Sequence, residues 1–234
     1  MRDKEIDEIL KNTETAADDP KPEVVQRISD SIVPSLRPVR PLPPGWIMTS
    51  VLVLAGAAVS LAGALRVGLF GFEKMDLMQR VAIFPALGIL LWVTASGLTA
   101  EMVPASRRRI SPGWLLLMAC AALSGLFGLL FHDYSIESFI PIGLACLLTG
   151  ILHAIPAALL GWLVVRRGFA VNPVSAGLAA GVLGGLAGVG MLELHCPNFE
   201  IAHLLVWHMA VLPLSSALGA LAGWIASRLA RAIA

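Results

Sequence analysis

A short polar stretch between two apolar runs has the residue types for metal or redox chemistry. Residues 193–203 read ELHCPNFEIAH and hold one thiol, two imidazoles and two carboxylates. Thiolates and imidazoles bind soft and borderline metal ions, and a thiol can also pair with a second cysteine as a disulfide. The competing interpretation is that Cys196 packs as a small apolar residue. Which of these roles Cys196 can have depends on the secondary-structure elements that position residues 193–203.

Composition indicates an integral membrane protein. Apolar residues make up 57% of the 234 residues, charged residues only 14%, and the mean hydropathy is +0.79. A net charge of +1 argues against direct nucleic-acid binding. The charged start, MRDKEIDEIL, lacks the apolar core of a signal peptide. We therefore expect an all-α fold that is held in a bilayer and surrounded by membrane lipid.

Six apolar runs are long enough to span a membrane as helices. Crossing the hydrocarbon core takes about 20 residues, because every backbone polar group must be satisfied within the helix. The sequence therefore predicts a bundle of six transmembrane helices. The predicted spans are Trp46–Leu65, Val81–Ala100, Gly113–Phe131, Phe139–Val165, Val174–Leu192 and Leu204–Ala226.

The basic residues of the loops predict the orientation. Arg107, Arg108, Arg109, Arg166, Arg167, Arg228 and Arg231 fall on one side with the N-terminal tail, and the positive-inside rule makes that side cytoplasmic. Both termini are then cytoplasmic, and the stretch at 193–203 faces outward. We therefore expect a multi-pass membrane protein.

Residues 1–45 form a separate cytoplasmic tail in this interpretation, and residues 46–234 form the transmembrane domain. The tail has two short amphipathic patterns, a first patch at Ile6, Ile9 and Leu10 and a second made of Val24, Val25, Ile28 and Ile32. The proline-rich segment PSLRPVRPLPPGW cannot be helical and is a stiff spacer. An apolar stripe too small to fold alone predicts a protein partner for the tail. The alternative is a helix that lies on the membrane surface, or a disordered tail without a partner.

Two of the three cysteines share a membrane leaflet. Cys196 lies at the outer end of the fifth span, and Cys146 lies seven residues into the fourth, about 10 Å below the same boundary at about 1.5 Å per residue. Cys146 and Cys196 are therefore candidates for a functional pair that binds a soft metal or forms a disulfide. His195, His203, His208 and Glu193 are candidates for further metal ligands or for groups that lower the thiol pKa. Cys120 enters from the inner side and should be remote from both.

Other features indicate structure more than chemistry. Gly177, Gly181 and Gly185 repeat at intervals of four, and Ser215, Gly219 and Gly223 do the same in the last span. Such faces let helices approach closely, either within one chain or in a homodimer. The loops between the spans contain acidic residues, but no sequence motif typical of a hydrolase is present. An enzyme is therefore not indicated, and no cofactor is required.

Two motifs resemble a known family. LHCPNFEIAHLLVWH leads into the last span, CLLTGILHAIP runs from Cys146 to Pro156, and a short soluble tail precedes six helices. The chain resembles the six-span membrane anti-sigma factors of the NrsF type, negative regulators of extracytoplasmic-function sigma factors. The resemblance implies a location in the bacterial cytoplasmic (inner) membrane. It also implies that the tail holds the sigma factor and that Cys146 and Cys196 sense stress. His195, His203 and His208 crowd this region more than the family pattern requires, which leaves metal, oxidant and proton open as signals.

The expected function is therefore a membrane anti-sigma factor that releases its sigma factor when an envelope metal or redox signal acts on the outward-facing cysteines. A small transporter or channel with His153 and His208 along a path is the alternative. The lack of acidic residues in the middle of the spans argues against it.

Overall fold

The computed structural model describes residues 22–33, 42–102, 110–137, 139–166, 168 and 172–233. The chain forms two compact units, Met1–Pro41 and Leu42–Ala234. In the first unit, helix α1 spans Pro22–Ile32 and carries the expected stripe of apolar side chains. The first patch of the tail, at Ile6, Ile9 and Leu10, lies outside the described residues.

The second unit is helical throughout its described part, apart from connecting turns and one isolated bridge. Six of its helical segments are long and apolar enough to cross a membrane. The α-helices are α2 (Gly45–Val67), α3 (Phe70–Lys74), α4 (Leu77–Ala100), α5 (Pro112–Leu130), α6 (Phe139–Val165), α7 (Pro173–His195), α8 (Ile201–His203) and α9 (Met209–Ile233), with a π-helical turn at Leu204–His208. The sixth membrane segment is the continuous run of α8, the π-helical turn and α9.

The six-helix prediction is confirmed. The fourth span has the expected bounds, and four others begin and end within four residues of them. The last helix continues to Ile233, beyond the expected end at Ala226. Polar side chains stabilise this extension, since the Arg228 guanidinium lies 5.2 Å from the Trp224 ring centroid and Arg231 Nε donates to the Ser227 carbonyl at 3.1 Å.

Helix α7 occupies the centre of the bundle. In its most apolar stretch 83% of residues are buried, compared with 22–39% in the other five membrane segments. It packs against α9 and α6 most extensively and also against α2, α4 and α5. A central helix surrounded by others needs a small cross-section, which explains why so much of α7 is glycine and alanine.

Backbone contacts at the glycines join α7 to its neighbours. A Cβ added to Gly177 would overlap the Gly219 carbonyl on α9, and one added to Gly188 would overlap the Gly150 carbonyl on α6. The small-residue faces therefore pack within one chain.

Replacing Gly177 with alanine should destabilise the bundle, because the new methyl group meets backbone that cannot move aside cheaply. We expect a loss of about 1–3 kcal/mol, as for overpacking of a tight core. Thermal unfolding in detergent measures the effect. Gly125→Ala is the matched control, since a Cβ there meets nothing within 4 Å. Equal melting temperatures for the two variants would contradict this account of helix packing.

Candidate functional site

The Cys196 loop, residues 196–200, connects α7 to α8. Helix α7 ends at His195, and the backbone N–H of Cys196 donates to the Leu192 carbonyl at 2.7 Å. Pro197 follows and cannot continue the helix. The chain then turns back into the bundle, where Ile201 is buried and starts α8. This turn carries the Cys196 thiol inward.

The loop brings Cys196 against Cys146 on the second turn of α6. The two sulfurs lie 3.4 Å apart, and both cysteines are free thiols. Cys196 is buried and Cys146 half-buried. Cys196 Sγ also lies 3.6 Å from His203 Nε2. Two cysteines that are 50 residues apart in sequence are therefore in contact, and one of them, Cys196, also meets an imidazole.

The π-helical turn brings a second imidazole to the same place. Five residues along an ordinary α-helix amount to about 1.4 turns, which would place His203 and His208 on different faces. The wider π-helical turn instead bonds residues five apart, as in the hydrogen bond from the Met209 N–H to the Leu204 carbonyl. The His203 and His208 rings are consequently 5.1 Å apart.

Glu193 fixes the orientation of the His208 ring. His208 Nδ1 lies 2.7 Å from Glu193 Oε1, and both side chains are 0% exposed. A carboxylate can only accept here, so Nδ1 carries the proton and Nε2 is the remaining nitrogen. His208 Nε2 and Glu193 Oε2 have no hydrogen-bond partner among the described residues. A buried polar atom without a partner is costly and calls for an explanation.

Four side chains converge as one group. The ligand atoms of Cys146, Cys196, His203 and His208 lie within 4.8 Å of one another, a spacing that could hold one metal ion.

The Cys196 loop is held by the segments on either side of it. Lys74 Nζ donates to the Pro197 carbonyl at 2.8 Å, and the N–H of Ile201 donates to the Asp133 carbonyl at 2.8 Å. The Phe131 and Phe199 rings pack with centroids 5.1 Å apart. These contacts restrain the loop from both sides and fix the depth of Cys196.

Helix α3 touches the end of α7 directly. A Cβ on Gly71 would lie 2.6 Å from the Glu193 carbonyl oxygen and 2.7 Å from that of Cys196, so only glycine fits this contact.

The other sequence candidates have separate contacts. His195 Nδ1 lies 3.0 Å from the Gly68 carbonyl, and His195 is not a member of the four-residue group. Glu200 accepts a hydrogen bond from the Ser135 hydroxyl. Cys120 is half-buried in α5 and also lies outside the group. Of the predicted candidates, the site therefore assembles Cys146, Cys196, His203 and His208, with Glu193 behind His208.

The state of the Cys196 thiol follows from its surroundings. Its contact with Cys146, and then burial, raise the pKa of Cys196, while His203 and His208 oppose the shift. These surroundings favour the protonated thiol over the thiolate. Any metal or oxidant that acts on Cys196 has to displace this proton.

Sequence reasoning did not find the π-helical turn or the pairing of Glu193 with His208. The only sequence signal for the π-helical turn was the spacing of five residues between two histidines in an apolar run. Glu193 and His208 are 15 residues apart on either side of a loop, so no helical periodicity relates them.

Comparison with known proteins places this arrangement in a family. Neither the curated proteins nor the solved structures gave a match. Residues 33–229 match the family NrsF, described as negative regulator of sigma F. That match covers five membrane-spanning helices in full, the sixth as far as residue 229, and the four-residue group, and the chain therefore belongs to the NrsF family of negative regulators of sigma F.

Proposed function

We propose that this protein is a membrane anti-sigma factor that holds an extracytoplasmic-function sigma factor on its tail and releases it when an envelope signal acts on Cys146 and Cys196. Membership of the NrsF family supports the first part of the proposal, the negative regulation of a sigma factor. The contact between the two sulfurs, 3.4 Å apart, carries the sensory part of the proposal. The protein acts by binding and release, without catalysis.

The tail helix supports the binding role. Val24, Val25, Ile28 and Ile32 on α1 are 45%, 50%, 53% and 48% exposed. An isolated helix of 11 residues is marginal in water, so burial of this stripe against a partner would stabilise it. The family match begins at residue 33, and the argument for the tail therefore rests on this helix. Residues 1–45 would act as the binding region and residues 46–234 as the sensor.

The distribution of basic residues supports the orientation that the proposal needs. With both termini in the cytoplasm, the tail can reach a sigma factor, and the Cys196 loop faces the outside of the bacterial cytoplasmic membrane. Signal and partner are then on opposite sides of the bilayer. The helix bundle has to connect them.

The position of the thiols suggests how a signal changes the bundle. Cys146 belongs to α6, and Cys196 ends the central helix α7. A metal ion or a disulfide that joins the two sulfurs favours one packing of α6 against α7, and it shifts a two-state equilibrium only by its differential free energy for the two states. Because α7 also packs against α2, this change can reach the helix that follows the tail.

A transporter or channel is less well supported. The buried ionisable residues in the described part of the chain are Glu101, at the end of α4, and the group Glu193, Glu200, His203 and His208 around the Cys196 loop. Between these ends, α7 is closely packed through its glycines. Half-buried His153 lies 2.8 Å from the Thr149 carbonyl of its own helix. This arrangement favours a sealed bundle.

Substituting aspartate for Val25 or Ile28 should release the sigma factor, because each variant buries an unpaired charge in the proposed contact. We expect affinity to fall more than about tenfold, a cost of about 1.4 kcal/mol or more. Co-purification of the sigma factor from native membranes measures this, with immunoblotting to verify membrane insertion.

Gln26→Glu is the control for the tail, since it adds a charge on the polar face, where Gln26 Nε2 bonds Asp30 at 3.2 Å. Full retention of the sigma factor by the Val25 and Ile28 variants would shift the binding site to the first patch at Ile6–Leu10.

Serine substitutions should show that the two thiols act as one unit. Cys146→Ser and Cys196→Ser should give the same signalling defect, and the double variant should add nothing, because either change removes the shared contact. A reporter under a sigma-dependent promoter measures the response to an added metal or oxidant. Cys120→Ser should respond like the wild type. Clearly additive defects would separate the two cysteines and return both to a packing role.

A further inference from the structure

Four potential ligand atoms have nearly the separations of a tetrahedral metal site. With bond lengths of about 2.3 Å to sulfur and 2.0–2.1 Å to nitrogen, tetrahedral geometry places two sulfurs about 3.8 Å apart and a sulfur and a nitrogen about 3.6 Å apart. The observed Cys146–Cys196 distance is 3.4 Å, and Cys196 Sγ lies 3.6 Å from His203 Nε2. All four ligand atoms lie within 4.8 Å of one another, so no separation in the group exceeds its tetrahedral ideal by more than about 1.5 Å.

The buried Nε2 of His208 supports the same site. His208 is fully buried, its Nδ1 is held by Glu193, and its Nε2 faces the Cys196 thiol without a partner at hydrogen-bond distance among the described residues. A histidine that binds metal through one nitrogen usually donates its other N–H to a carboxylate, which sets the tautomer and the ring orientation. Glu193 and His208 have this arrangement in advance of any ion.

The donor atoms restrict the kind of ion. Two thiolates and two imidazoles suit borderline or soft cations that accept four ligands, such as Zn²⁺, whereas Mg²⁺ and Ca²⁺ require oxygen ligands. Two thiolates also neutralise a divalent cation, which reduces the cost of burying its charge. Cys146 and Cys196 are among the residues that line a cavity of about 480 Å³ next to the Cys196 loop, and this cavity is the route we propose for an ion.

We propose that Cys146, Cys196, His203 and His208 bind one divalent cation of the zinc type in a tetrahedral site, and that Glu193 is the positioning residue for His208. This metal site would be the sensor of the proposed anti-sigma factor, and its role in regulation rests on that proposed function. Metal binding itself is a property of the isolated protein. The site is closed by four protein ligands, so the ion links α6, the Cys196 loop and the π-helical turn, and it is not expected to activate water.

The test is zinc binding by the full-length protein in detergent after removal of metal with a chelator. We expect one Zn²⁺ per chain, and X-ray absorption should show two sulfur ligands at about 2.3 Å and two nitrogen ligands at about 2.0–2.1 Å. Cobalt substitution gives a second readout, because tetrahedral Co²⁺ with thiolate ligands has characteristic visible and charge-transfer bands.

Variants then assign the ligands. His203→Gln and His208→Gln should each lower zinc affinity at least about 100-fold and change the cobalt spectrum, since each removes a ligand. Glu193→Gln should lower affinity about 10- to 100-fold with the same four-ligand spectrum, and Glu193→Leu should lower it further, because glutamine keeps an acceptor for the His208 N–H. Thermal unfolding without metal verifies that each variant is folded.

Matched controls use groups of the same type outside the site. His132→Gln removes an exposed imidazole, His195→Gln removes the imidazole bonded to Gly68, and Cys120→Ser removes the third thiol. All three should bind zinc as the wild type does. Absence of stoichiometric zinc, or a zinc shell that the His203 and His208 variants leave unchanged, would overturn the proposal.

Failure of the metal site can be told apart from failure of the anti-sigma function. Sigma-factor co-purification is measured on the same preparations with and without zinc. If the sigma factor binds but zinc does not, the proposed metal site is wrong and the proposed anti-sigma function stands. If zinc binds in the expected shell but the chain retains no sigma factor, the metal site stands and the anti-sigma function is wrong.

Discussion

The hydrogen bond between Glu193 and His208 is the contact on which the site depends. Both side chains are fully buried. A carboxylate placed at the end of a central helix needs a donor, because burial of an unpaired charge is prohibitively expensive. His208 supplies that donor from the start of the last membrane segment. The pair therefore fixes the orientation of the π-helical turn relative to α7. His208 Nε2 takes no part in this hydrogen bond.

Close helix packing makes this contact possible. Gly177 and Gly219 let α7 and α9 approach until backbone meets backbone, and Gly188 does the same against Gly150 of α6. In lipid, helices gain little from the hydrophobic effect when they associate, so such close contact and interhelical hydrogen bonds must hold the bundle. One such bond joins the Ser60 hydroxyl of α2 to the Ala187 carbonyl of α7 at 2.7 Å. The ends of α6, α7 and α9 are thereby held close enough for the thiols and imidazoles to meet.

Sequence reasoning was sufficient for the spans because a bilayer imposes a simple rule of length and apolarity. It also found the contact between Cys146 and Cys196, since both lie in the same leaflet and Pro197 ends α7. It named His203 and His208 as candidate ligands, but it could not show that both rings reach the same place. In an α-helix a spacing of five residues separates two side chains by about 1.4 turns, and the π-helical turn that brings these two together was not evident from the local sequence. The short helix α3 was missed for a similar reason, because Gly71 fits there by contact with α7.

The same geometry explains why a signal at the Cys196 loop would affect more than the loop. Lys74 attaches the loop to the end of α3, and Asp133 and Phe131 attach it to the segment that joins α5 to α6. Cys146 and the two histidines attach it to α6 and to the last membrane segment. A rearrangement at the two sulfurs must therefore move against restraints from all of these elements. In the proposed mechanism this is an advantage, because a closely packed bundle changes between discrete arrangements instead of absorbing the strain locally. Through the Ser60 hydrogen bond, α7 would then pass the change to α2, the helix that follows the tail.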